Sequence, residues 1–270
     1  MKYDNIKNKK DTTFKRKVGI PRILFEMLVG VLEIPFKEKQ SKGGPKPKLS
    51  IEDILLMTLI YYRDYPTFFS LGNMFELDEA NVYRWIKWAE KIIYKELEGV
   101  IDITLLDESS EQLVDVTECI IQRPKDYDIQ REYYSGKKKK HTIKAQIIMN
   151  EKDKKILSVC FNKGSVHDFK IFKETTKDLS KTIAFLADSG YQGILDYFKN
   201  SMTPKKKSKN NPLTDEDKQL NHLISSIRIS VEHVNCQLKI FRILSERYRS
   251  RINTFYLRFL LICNFYNLCL

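Results

Sequence analysis

The chain has 270 residues, with 47 Lys and Arg against 35 Asp and Glu, a net charge of +12 and a pI near 9.3. That length suits one large domain or a small domain joined to a larger one, and 42% hydrophobic with 11% aromatic residues excludes a disordered basic tail. The charge favours a polyanionic partner, because each phosphate neutralised by a cation releases counterions.

The first segment, MKYDNIKNKKDTTFKRK, is basic but lacks the apolar stretch of a secretory signal. A cytoplasmic, nucleoid-associated protein is therefore expected. The break at KEKQSKGGPKPK, with Gly43, Gly44, Pro45 and Pro47, closes an N-terminal portion (1–47) read as a basic flexible arm and linker with a possible short helix.

Ser50 and Asp53 resemble a capping box, and Ile51, Ile54, Leu55, Thr58, Leu59 and Tyr62 recur at helical spacing, which predicts a helix from about 50 to 63. A short helix over Phe69 to Phe75 follows. After a turn at Glu76 and Leu77, Asp78 can cap a third helix through Val82, Trp85, Ile86, Ala89 and Ile92. This is a helix-turn-helix pattern, assigned to an all-α domain over 48–105. Its third helix is expected to present Asn81, Arg84, Lys87 and Trp88 outward, where they can reach base edges in a major groove. A plain three-helix scaffold with a solvated polar face is the competing reading.

From about residue 112 the periodicity becomes extended: EQLVDVTE, HTIKAQIIMN, KKILSVCFN and TIAFLAD read as strands. A long helix is predicted from about Thr214 to beyond Phe241. Strands followed by helices around a central sheet give an α/β or α+β layer domain, assigned to 106–270. The C-terminal YLRFLLICNFYNLCL is interrupted by Arg258 and two asparagines, so it is expected to be a core helix and no membrane partner is expected. Five cysteines without a CxxC pair suggest neither a disulfide framework nor a zinc site, and are expected to be reduced and mostly buried.

Three acids stand inside their own motifs: Asp115 in VDVTE, Asp188 in AFLADSGYQG and Glu232 in RISVEH. Asp115 and Asp188 are each placed at the end of a predicted strand, where sheet proteins open reactive groups onto loops. Asn221, Ser225, Arg228, Glu232 and Lys239 fall in one narrow stripe of the long helix at about 100° per residue. Two divalent ions about 3.5–4 Å apart can drive phosphodiester chemistry when carboxylates from distant points converge on them. All-carboxylate ligation suits Mg²⁺, with Mn²⁺ possible. Singly, each acid also fits a turn, a cap or a solvated helix face.

Arg123, Lys125, Arg131 and the block Lys137, Lys138, Lys139 and Lys140 cluster around Gly136 in a predicted hairpin just after the first acid, flanked by Tyr133, Tyr134 and His141. The pattern suits a phosphate-binding strip that contacts DNA. Lys205, Lys206, Lys207 and Lys209 form a second basic loop. The His167–Asp168 pair is read as a helix cap rather than a metal ligand pair, and His233 as a packing residue turned about 100° away from Glu232.

These motifs, with the run IQRPKDYDIQREYYSGKKKKHTIKAQ, GSVHDFKIF, LADSGYQG and NHLISSIRISVEHVNCQLKIF ending in ERYRSR, resemble DDE transposases of the insertion-sequence-five type from about residue 45 onward. The resemblance implies an RNase H-like catalytic domain with a central mixed sheet flanked by helices, preceded by a helix-turn-helix domain. It implies Asp115, Asp188 and Glu232 as catalytic, metal-holding acids with two Mg²⁺ ions per site. The family's tyrosine, arginine, glutamate and lysine signature places its arginine on Arg228 and its lysine on Lys239. Its tyrosine position is Ser225 here, leaving Asn221, one turn earlier, as the candidate to fill that role. The implied activity is recognition of terminal inverted repeats, DNA cleavage and joining of 3′-hydroxyl ends to target DNA by a homodimer or larger assembly. The alternatives are a catalytically silent DNA-binding regulator and a stand-alone metal-dependent nuclease.

Overall fold

The computed structural model describes residues 1–44, 46–106, 108–207 and 212–270, so Pro45, Asp107, Lys209 and its neighbours Ser208, Asn210 and Asn211 lie outside the described residues. Two compact units emerge. One comprises Met1–Val100, Leu238–Glu246 and Ser250–Cys269, the other Ile101–Gln237, Arg247–Arg249 and Leu270.

The first unit is helical. It begins with α1 (Asp11–Val18) and α2 (Arg22–Ser41), so the portion read as a flexible arm instead carries a helix of 20 residues. The reason is an apolar stripe: Leu24, Phe25, Leu28, Leu32 and Phe36 recur at helical spacing and are buried. Phe36 meets Trp85 and Trp88 with ring centroids 6.0 Å apart in each case. The helix α3 (Ile51–Asp64) is buried from Asp53 to Tyr62 and forms the centre of this unit. Ser50 caps it by accepting from the Asp53 N–H at 3.2 Å.

Next come α4 (Phe68–Phe75), capped by Thr67, and α5 (Glu79–Glu96). The turn between them brings the Leu77 carbonyl so close to Gly72 that a Cβ there would lie 2.5 Å from its oxygen, so this position requires glycine. The Asp78 carboxylate, expected as a cap, makes no capping hydrogen bond.

Within the second unit, β1 (Glu111–Ile120) pairs antiparallel with β3 (Lys140–Asn150), which pairs antiparallel with β4 (Ile156–Lys163). On its other edge β1 pairs parallel with β5 (Ala184–Leu186), and Met202 bridges Leu186 in parallel beyond that. An antiparallel meander joined to parallel strands on the far side of β1 is the mixed sheet of an RNase H-like fold. Between β1 and β3 stand α6 (Tyr127–Tyr133), capped by Asp126, and the two-residue β2 (Tyr134–Ser135). The predicted simple hairpin is thus an insertion with its own helix. The helix α7 (Asp168–Thr175) puts Phe172 into a core with Val114, Ile148, Phe185 and Phe198 on one face of the sheet.

The long helix α8 (Asp215–Leu238) starts as predicted. The Thr214 hydroxyl accepts from the Asp217 N–H at 3.1 Å while the Asp217 carboxylate accepts from the Thr214 N–H at 3.2 Å, a reciprocal cap. It ends at Leu238 rather than beyond Phe241, and Phe241, Ile243 and Leu244 are buried around the separate short α9 (Arg242–Ser245).

The last helix, α10 (Ile252–Asn267), is the predicted core helix. It packs within the first unit, although sequence order assigns it to the 106–270 domain. The pairing responsible is buried: Arg258 Nε donates to Glu90 Oε1 at 2.6 Å, and Tyr62 donates to the same oxygen at 3.0 Å. Among the described residues no helix is long and apolar enough to cross a membrane. Of the five cysteines, Cys119 and Cys263 are buried, Cys160 is half-buried, and Cys236 and Cys269 are exposed, so fewer are buried than expected.

Candidate active site

Asp115 sits in the middle of β1, not at its end, because the ladder with β3 continues to Ile120 opposite Thr142. Its neighbours Val114 and Val116 turn to the face covered by α7, since successive side chains alternate. Asp115 itself faces α8. The parallel register with β5 pairs Leu113 with Leu186, so Asp115 follows that pair by two residues on β1 and Asp188 follows it by two residues just past the end of β5, near enough for its charge to act on Asp115.

Two side chains of α8 reach Asp115. Asn235 Nδ2 donates to Asp115 Oδ2 at 3.0 Å, and Arg228 Nη2 lies 3.8 Å from Asp115 Oδ1. Residues seven apart on a helix share a stripe, and Glu232 lies on the same stripe between them, one turn from each. The stripe that carries Glu232 therefore faces the Asp115 strand. Glu232 itself is exposed, and among the described residues no three His, Cys, Asp or Glu side chains stand close enough to hold a metal ion.

Burial pushes the Asp115 carboxyl up to about 6, against the pull of the Arg228 guanidinium and with further upward pressure from Asp188 and Asp168. The Tyr191 hydroxyl is driven well above its ordinary range by burial and by the carboxylates of Asp115, Asp168 and Asp188. Among the described residues its oxygen, Arg228 Nε and Asn235 Oδ1 are buried without hydrogen-bond partners. The donors assembled here are carboxylate and amide oxygens, a hard set suited to Mg²⁺ or Mn²⁺ rather than to a thiolate-seeking metal. A divalent cation fits this set, since it would favour the ionised form that burial penalises.

Other predicted residues fall elsewhere. Asn221 accepts from the Lys205 N–H at 2.8 Å and donates to the Lys205 carbonyl at 3.0 Å, so it fastens the preceding loop. Lys205 pairs with Asp217. Lys239 lies just past the end of α8.

The basic strip is an exposed turn from β2 into β3 rather than the tip of a simple hairpin, because α6 and β2 intervene after β1. Lys137, Lys138, Lys139 and Lys140 are all exposed along it. The Lys138 N–H donates to the Ser135 hydroxyl at 3.2 Å and the Lys139 N–H to the Ser135 carbonyl at 2.8 Å, so the backbone is ordered while the ammonium groups stay in solvent. Lys139 takes a left-handed φ of 55°, and none of the four forms an ion pair among the described residues.

On α5, Arg84 and Lys87 are exposed and Asn81 half-buried, with Arg84 Nη1 donating to Asn81 Oδ1 at 3.1 Å. Trp88 is turned inward against Phe36. The His167 ring accepts from the Phe169 N–H at 3.3 Å, the predicted cap, whereas His233 is exposed rather than packed.

Asn235 is a further residue at the candidate site that the sequence motifs did not single out, while Asp168 and Tyr191 belong to the α7 side of the sheet, from which Asp168 acts on Asp115 only through charge. Asp168 is held by Lys144 at 2.8 Å, and its only local signal was the cap motif. Asn235 could have been found by extending the Arg228 stripe seven residues.

A sequence model of the DDE superfamily endonucleases matches residues 114–266, and a second, the helix-turn-helix of DDE superfamily endonucleases, matches residues 47–99. The chain belongs to the DDE superfamily. It is also 40% identical, over 273 residues, to the probable transposase for insertion sequence element IS702 of Microchaete diplosiphon, covering 99% of this chain and 98% of that protein. The superfamily's endonuclease segment contains Asp115, Asp188 and Glu232, and α3, α4 and α5 lie within its helix-turn-helix. This is a DDE-superfamily insertion-sequence transposase.

Proposed function

We propose that this transposase binds the terminal inverted repeats of its element, cleaves the DNA there and joins the 3′-hydroxyl ends to target DNA. The observation that supports this most is the meeting at Asp115 of three sequence-distant elements: β1 itself, the Asp188 end of β5 and the Arg228–Asn235 stripe of α8. In this reading 48–105 recognises DNA, with Asn81, Arg84 and Lys87 towards the bases, and the sheet-bearing part after residue 106 carries the chemistry.

Asp115, Asp188 and Glu232 are the groups that would hold Mg²⁺, with Mn²⁺ as a substitute and two ions per site. When bound, the metal supplies Lewis-acid polarisation of the phosphodiester and a lowered pKa for water. Asn235 keeps the Asp115 carboxylate in one orientation. Arg228 offers its guanidinium to a phosphate oxygen, offsetting negative charge beside the carboxylates. Lys239, Arg123 and the turn of Lys137, Lys138, Lys139 and Lys140 hold the backbone and set its register. Two element ends must be brought together, which calls for a homodimer or larger assembly on DNA, in a cytoplasmic, nucleoid-associated protein.

The test is incubation of the full chain with Mg²⁺ and labelled DNA from both flanks of its gene plus a target duplex. Cleavage at inverted repeats with joined products supports the proposal. Cleavage without joining makes the protein a nuclease, and sequence-specific binding without cleavage makes it a regulator.

A further inference from the structure

The insertion between β1 and β3, together with His141 of β3, forms an open surface pocket of about 470 Å³ lined by Arg123, Tyr127, Gln130, Arg131, Tyr134 and His141. That volume lies within the roughly 300–1,000 Å³ of small-ligand sites. We infer that this pocket receives one unpaired nucleotide of the DNA strand, its base against the tyrosine rings and its phosphate on the guanidinium groups.

Tyr127 and Tyr134 are large rings left 71% and 43% exposed, so their faces are open to a stacking partner. Tyr134 pairs with His141 across the β2–β3 ladder, and their rings meet edge to face at 5.7 Å. Tyr134 is thereby held in place as one wall. Burial, with the Arg123 charge beside it, holds His141 below its ordinary value.

The guanidinium of Arg123 is fixed in plane. Its Nε and Nη2 donate to Gln130 Oε1 at 3.0 and 2.8 Å, while Gln130 Nε2 donates to the Pro124 carbonyl at 2.9 Å. Among the described residues neither Arg123 nor Arg131 forms an ion pair with a carboxylate. An ordered Arg123 that no carboxylate neutralises, with Arg131 beside it and exposed aromatic rings around it, matches the requirements of a nucleotide with its base unstacked. Duplex DNA offers phosphates but no free base face, so it satisfies only half of this lining. The tetralysine turn that follows Tyr134 carries the strand's backbone past the pocket mouth. Arg123 follows Asp115 by eight residues of largely extended chain, so the pocket can lie at most about 26 Å from the candidate active site.

The choice of DNA as ligand rests on the transposase reading above, but the pocket is tested without cleavage. The probe is a duplex with a single-stranded overhang that contains one 2-aminopurine, compared with the same duplex blunt-ended, in Ca²⁺ or without metal. The wild-type chain should bind the overhang duplex more tightly and quench the 2-aminopurine through stacking. Tyr127→Leu and Tyr134→Leu should each weaken overhang binding by about 5- to 100-fold, the range expected for one lost base–aromatic stack. Blunt-duplex binding should stay unchanged, and Tyr134→Phe should restore both quenching and affinity. Equal affinity for the two probes, or quenching that survives both leucine variants, overturns the pocket assignment while leaving duplex binding intact. No binding of either DNA removes the proposed DNA-cleaving function as well, whereas quenching here with no cleavage in the separate Mg²⁺ assay removes that function alone.

Discussion

Asn235 on α8 donates its amide to the Asp115 carboxylate at 3.0 Å, joining two residues 120 positions apart in the chain. A carboxylate that must meet a cation and a phosphate benefits from having one oxygen fixed before either arrives. Replacing Asn235 with Ala should therefore lower cleavage by about 10- to 100-fold, the usual cost of losing a hydrogen bond to a ligating group. Asn235→Asp should be worse, because it sets a second anion against a buried one. Single-turnover cleavage rates at saturating DNA measure this, and rates within twofold of wild type would deny Asn235 that positioning role.

The pH dependence of stability follows from Asp115. Its carboxyl stands near 6 in the folded protein against 3.8 as the ordinary value, so between these limits the folded state binds more protons than the unfolded one. Stability from this group is thus full below about pH 4 and lost as pH rises towards 6, by an amount of order 1–3 kcal/mol. Denaturant titrations without metal should show the loss in wild type and a smaller one in Asp115→Asn. Because a cation needs the ionised carboxylate, Mg²⁺ should stabilise the wild type at pH 7.5 and hardly at pH 5.

The four lysines of the β2–β3 turn are exposed and form no ion pairs among the described residues, so each can displace a counterion from DNA. Changing Lys137, Lys138, Lys139 and Lys140 together to Ala should flatten the dependence of log K on log salt by up to about 3.5, at roughly 0.9 for each phosphate no longer neutralised. A slope identical to wild type would show that the turn touches no phosphate.

The buried Arg258–Glu90 pair ties α10 to α5 within the helical unit, with Arg258 only 1% exposed. Arg258→Ala leaves the buried Glu90 without its cation and with the Tyr62 hydroxyl still donating to it, which should cost about 3–5 kcal/mol. Replacing both residues by apolar ones of similar size should recover most of that. Urea denaturation midpoints of the three proteins provide the comparison.

Much of this was legible in the sequence where a single period dominates. The alternation in VDVTE and HTIKAQIIMN marks β1 and β3, and the caps at Ser50 and Thr214 mark the starts of α3 and α8. Less legible was anything decided by distant partners. Asp115 looks like a strand end because the polar residues after Val116 hide further strand that only the ladder with β3 holds extended. The placement of α10 depends on Glu90, far away in sequence. The stripe on α2 was readable at Leu24, Leu28, Leu32 and Phe36, but its basic flanks masked it. At the candidate site the motifs draw attention to Asp115, Asp188 and Glu232, whereas Asn235 gains meaning only once Arg228 is seen to face Asp115.

The central claim is that Asp115, Asp188 and Glu232 act as one metal-dependent centre. The most direct test compares Mg²⁺-dependent cleavage of inverted-repeat DNA by the wild type with that by Asp115→Asn, Asp188→Asn and Glu232→Gln, alongside DNA binding by each. Each variant should lose cleavage by at least about 10³-fold while binding stays within a few-fold, and combining two should add little, as expected of residues that act as a unit. A Glu232→Gln protein that cleaves at the wild-type rate would contradict the account.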